Sequence, residues 1–171
     1  MDTWTSFIGA RTVITVAAVL GVSAGGIARA APNACGFLSV ADVAAVTGGT
    51  VTGGKISQVD PTVGTASCMY TSGALQIGVI VHQYSSGAEA QKEVASQLKD
   101  SRAHDDAGQK TTVEAGVGDA AFSSTMSGGF EMSAAMSAHG PITVQITIVG
   151  KGSASIPHER LRALIAKAAS E

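Results

Sequence analysis

The chain has 171 residues, the length of one ordinary domain, with 45% hydrophobic, 4% aromatic and 14% charged residues and a net charge of −2. That balance excludes a nucleic-acid electrostatic footprint, a disordered polar chain and a collagen-like repeat. A small Ala/Gly/Val-rich globular domain is left.

Residues 1–30 have the three parts of a secretory signal. Arg11 supplies a basic start, Thr12 to Val22 an apolar run, and Ala28-Arg29-Ala30 an A-x-A-like cleavage site before Ala31. An uncleaved anchor over 12–28 falls short of the roughly 20 residues a span needs, and Ser23, Gly25 and Gly26 weaken it. Lipidation at Cys35 would need an apolar box where Pro32-Asn33-Ala34 stands. The expected product is a single domain over 31–171, periplasmic, cell-envelope or secreted, with no stable membrane span after cleavage. It keeps 9 basic and 12 acidic groups and loses Trp4. Two cysteines, Cys35 and Cys68, in an exported domain argue for a structural disulfide.

Ser39 as N-cap, Asp42 three residues on, a Leu38/Val43 staple and Gly48 predict a helix over 39–47. From residue 50 the period changes to two. Val51 starts a strand, 66–72 is a second, and Leu75, Ile77, Val79 and Val81 alternate through a third after the Thr71-Ser72-Gly73 turn. Ser85-Ser86-Gly87 opens a helix to about 103, with Ala88, Gln91, Ala95 and Leu98 as its expected buried stripe and Val94 beside it. Strands near 111–115 and 118–124 precede an alternating run, Phe130, Met132, Ala134 and Met136. After the His139-Gly140-Pro141 turn come Ile142, Val144, Ile146 and Ile148. Pro157 opens a last helix with Leu161, Leu164, Ile165 and Ala168 at helical spacing. The expectation is an α+β domain, an antiparallel sheet with helices packed on it. Each half reads as a strand-hairpin-helix unit, and the long and terminal helices are expected on one face.

Several stretches look chemical. Gly49 to Lys55 matches the G-x-x-x-x-G-K of a phosphate loop, but Ile56 stands where a magnesium-holding Ser or Thr is needed and no helix follows. Ser96-Gln97-Leu98-Lys99 matches S-x-x-K without its companion motifs. No complete cofactor motif is present. Met126, Met132, Met136 and His139 have the soft ligands that suit Cu(I). On a strand, however, Met132 and Met136 stand about 13 Å apart, and core packing by methionine is the simpler reading. In Gly116-Val117-Gly118-Asp119 the carboxylate suits a tight turn. Asp119 and His82 are the candidate ligand-binding residues, and a concave pocket joining Asp119 to a histidine would raise an enzymatic reading.

Three segments carry a family likeness: Cys35-Gly36-Phe37-Leu38-Ser39-Val40-Ala41-Asp42-Val43, Ser67-Cys68-Met69-Tyr70 before an alternating strand, and Gly116-Val117-Gly118-Asp119-Ala120-Ala121. The sequence resembles the small exported domains of unknown function in actinobacterial-type envelope lipoproteins, here without their lipobox. The resemblance implies a Cys35–Cys68 bridge and an α+β fold, and transfers no catalytic residue. The resulting expectation is a non-enzymatic domain that binds a small ligand or an envelope protein through its sheet or an edge hairpin, with neither cofactor nor nucleic acid. The alternative is a copper-handling protein or small enzyme using Met132, Met136 and His139, or Asp119 with His82.

Overall fold

A computed structural model describes residues 32–105 and 108–171. The expected signal over 1–30 lies outside them. Along the chain come β1 (Val51–Asp60), β2 (Thr65–Ser72), β3 (Leu75–Gln83), β4 (Gln109–Val113), β5 (Ala120–Met126), β6 (Met132–His139) and β7 (Ile142–Val149). They form one antiparallel sheet in the order β1-β2-β3-β7-β6-β5-β4. Three helices pack on it: α1 (Val40–Thr47), α2 (Gly87–Arg102) and α3 (His158–Ala168). The fold is α+β. Among the described residues no helix is long and apolar enough to cross a membrane.

Period-two alternation builds the centre. β3 and β7 meet through the pairs Ile77–Ile148, Val79–Ile146 and Val81–Val144, all buried on one face. Burying six such side chains, at about 1.5–3 kcal/mol each, makes this seam a large apolar contribution to the core. Leu161, Leu164, Ile165 and Ala168 of α3 join the same core, as do Val43 and Val46 of α1. The capping box between Ser39 and Asp42 starts α1, and left-handed Gly48 ends it. Cys35 and Cys68 form a disulfide that fastens the 3-10 turn Ala34–Gly36 to β2. Beside it the buried Tyr70 hydroxyl donates to the Leu38 carbonyl at 2.5 Å.

The long and terminal helices do not share a face. Ala90 and Val94 of α2 pack with Phe122, Met136 and Ala138, whereas α3 packs with Ala121 and Ala135. Strands β5 and β6 therefore carry apolar residues on both faces, and each face needs a cover. The buried stripe of α2 also differs from expectation. It runs through Ala90, Val94 and Leu98 at spacing four, while Ala88, Gln91 and Ala95 are exposed. Over β1–β3 the face that α2 leaves open meets solvent, with Met69 40% exposed.

Other expectations shift by a few residues. Phe130 precedes β6 and is exposed rather than facing inward. The strands expected at 111–115 and 118–124 end at Val113 and begin at Ala120, because residues 114–119 form the loop between them. Gly49 to Lys55 runs into edge strand β1, where the register slips between Gly53 and Lys55, so the glycines serve a bulge. Ser96 and Lys99 lie exposed on α2.

Candidate functional site

Strands β4 and β5 make the hairpin at one edge of the sheet. Its loop, residues 114–119, is held at both ends. At the first end, the Glu114 amide donates to the Ala121 carbonyl at 3.0 Å. The Glu114 side chain is 2% exposed. Its Oε1 accepts from the Ser123 hydroxyl at 2.5 Å and from His158 Nε2 at 2.5 Å. Arg162 Nε stands 3.4 Å from Oε2, and Arg162 Nη2 donates to the Ala115 carbonyl at 2.9 Å. A buried carboxylate demands such partners, and here they tie the loop to the first half of α3.

At the second end, the Asp119 amide donates to the Ala138 carbonyl at 2.8 Å. Asp119 Oδ2 in turn accepts from the Gly140 amide at 2.7 Å, closing the β6–β7 turn. Gly118 sits between at φ +54, where any Cβ would collide with the Ala138 carbonyl. Only glycine fits there without strain.

The pinned loop walls two clefts. One, of about 360 Å³, lies toward the end of α3 and is lined by Gly116, Gly118, Asp119, His139, Ala169 and Ser170 among others. The second, of about 250 Å³, lies toward α2 and is mostly apolar, with Val94, Leu98, Val113 and Ala120 in its wall. In the first cleft Asp119 supplies the carboxylate and α3 presents the carbonyl end of its dipole.

The candidate residues are sorted differently from expectation. Asp119 shares its cleft with His139, not with His82. His82 lies on the sheet face opposite the main core, its Nδ1 2.6 Å from the Thr65 hydroxyl and its ring 4.2 Å from that of Tyr84. Burial lowers the His82 pKa, against a weaker opposing pull from Glu93. Burial, reinforced by Glu93, pushes the Tyr84 hydroxyl up to about 12. Both groups are therefore neutral at neutral pH. The soft-ligand set also separates. Met132 and Met136 share the α2 side of β6, while His139, an odd number of residues on, faces the α3 side. Met126 is paired with Met132 across β5 and β6.

Glu114 and its link to His158 were invisible in the sequence. A lone acid between Val113 and Ala115 has no pattern that distinguishes a buried carboxylate from an exposed one. Ser123, His158 and Glu114 also differ from a catalytic triad. Hydroxyl and imidazole both converge on the carboxylate, so the imidazole has no serine proton to remove.

No protein-family model and no curated protein matches the sequence. Among solved structures the chain is similar to the extracellular domain of PknH from Mycobacterium tuberculosis, at a TM-score of 0.55 and 14% identity. The match covers 82% of this chain and 95% of that one. At that identity the likeness is one of fold: this chain has an architecture also found in an actinobacterial extracellular domain.

Proposed function

We propose that this protein is an exported, non-enzymatic domain that binds a small ligand or an envelope protein at the cleft between its edge-hairpin loop and α3. The observation that carries this reading is the anchoring of residues 114–119 at both ends, which shapes the cleft before any ligand arrives. Such preorganisation reduces the ordering cost of binding. Export is supported by the disulfide, by the signal-like residues 1–30 and by the extracellular setting of the PknH domain. The non-enzymatic reading is supported by how nearby groups are engaged. Asp119 holds the Gly140 amide, Ser170 donates its hydroxyl to the Lys167 carbonyl, and Ser123 and His158 both bind Glu114.

The test is site-directed photo-crosslinking in the intact envelope, followed by pull-down. A crosslinking residue at Ser170, on the cleft rim, should yield a discrete adduct that the same residue at Thr52, on β1, does not. Equal labelling at both positions, or none at Ser170, sinks the proposal.

The shared cleft of Asp119 and His139 favours a small enzyme as the second reading. It requires a reaction that His139→Gln abolishes without loss of binding. Copper handling would instead show as a marked rise in melting temperature with copper or zinc, under reducing and oxidising conditions alike.

A further inference from the structure

We infer that the cleft formed by Asp119, His139 and the end of α3 is a receptor for a primary ammonium group. This rests on the reading of the cleft as the binding site and adds the chemical class of what enters it.

Charge gives the sign. Asp119 is the carboxylate of the cleft, and no lysine or arginine is among its lining residues. On α3, Arg162 is turned toward Glu114 and the Ala115 carbonyl, and Lys167 is paired with Glu171. The carbonyl end of α3 adds partial negative charge to the same wall.

Hydrogen bonding gives the class. Asp119 Oδ2 accepts from the Gly140 amide, and the side chain lies exposed on the cleft. The Ser170 proton goes to the Lys167 carbonyl, which leaves the hydroxyl oxygen as an acceptor on the same cleft. A primary ammonium has three N–H donors to offer to a carboxylate and a hydroxyl oxygen that line the same cleft.

Competing classes fit less well. An anion would meet the Asp119 carboxylate, and the Asp119 and Gly140 amides already donate to Ala138 and Asp119. Among the described residues no three His, Cys, Asp or Glu groups converge as a metal site would need. The lining carries no Phe, Tyr or Trp face for a quaternary ammonium.

The test is an amide-resolved NMR titration of the purified protein with n-butylammonium, tetramethylammonium, butyrate and Zn²⁺ as separate probes. n-Butylammonium should shift the Gly118, Gly140 and Ser170 amides saturably, and tetramethylammonium should do so at least about tenfold more weakly. Asp119→Asn keeps an oxygen for the Gly140 amide and so keeps the turn, but should weaken n-butylammonium about tenfold or more, the range of one charge-assisted hydrogen bond. The inference is overturned if n-butylammonium fails to saturate or Asp119→Asn binds it equally. It is also overturned if tetramethylammonium matches n-butylammonium, or if butyrate or Zn²⁺ binds these amides more tightly. In each of those cases a Ser170-specific crosslink would leave the cleft standing as a binding site for another class of ligand.

Discussion

Glu114 shows how one buried charge can organise a loop. Removing it in Glu114→Ala leaves the buried Ser123 hydroxyl without its acceptor and Arg162 without its ion pair, and loosens the start of the loop from α3. A loss of about 2–4 kcal/mol is expected, measured by urea denaturation. His158→Ala removes a half-exposed side chain and leaves Glu114 its Ser123 and Arg162 partners, so it should lose no more than about 1 kcal/mol. An effect of Glu114→Ala below that of His158→Ala would contradict the anchoring role. His82 governs a separate response. Its folded pKa lies below the ordinary 6.5, so protons bind the unfolded chain more readily. Stability should be full above about pH 6.5 and fall as pH drops from there through the lowered folded value. His82→Gln should flatten that slope in denaturant midpoints taken between about pH 8 and 5. Asp42, lowered by its Ser39 hydrogen bonds, acts below its ordinary 3.8 and does not overlap this window.

Among the elements, the disulfide and α1 act together at one end of the sheet. Cys35–Cys68 closes a separation of 33 residues, for which the chain-entropy model gives about 3–4 kcal/mol. Cys68→Ser should lower stability by about that amount, and reductant should bring the unsubstituted protein to the same midpoint. An unchanged midpoint in both experiments would show that the bridge adds nothing to stability. The α1 cap is a smaller contribution: Ser39→Ala removes the hydroxyl that accepts from the Asp42 amide, while the Ser39 amide still donates to the Asp42 carboxylate, and should lower stability by about 1 kcal/mol in the same assay. Both features were legible in the sequence, the bridge from two cysteines in a chain that opens like an exported one and the cap from local spacing. The buried stripe of α2 was not, since its polar sequence fits more than one apolar line. Phe122 and Met136 select the line through Ala90 and Val94.

Over the whole molecule, the sheet joins its two halves at β3 and β7, strands that begin 67 residues apart in the chain (75 and 142). Stability should be concentrated there. In native-state hydrogen exchange the amides of Val79 and Ile146 should be among the slowest, and those of edge strands β1 and β4 among the fastest. Protection of β1 equal to that of β3 would contradict this order. The two halves share the order strand, hairpin, helix, with β4 added to the second. Their helices nonetheless go to opposite faces, and α2 of the first half crosses over to cover β4, β5 and β6 of the second.

By itself the sequence determined the α+β class, the cysteine pair, the first and last helices and the inward residues of β3 and β7. The cysteine pair follows from an even count in a chain that opens like an exported one, and the rest from period and capping, which are short-range properties. Tertiary structure decided which sheet face each helix covers, that Glu114 is buried with Ser123, His158 and Arg162, and that Asp119 meets His139 rather than His82. Those outcomes depend on strand order, which brings Glu114 and His158 together across 44 residues and Asp119 and Gly140 across 21. Local propensity has no term for such distances. The length and composition first suggested an ordinary small domain; its fold adds a pinned edge loop and a cleft that places Asp119 beside His139.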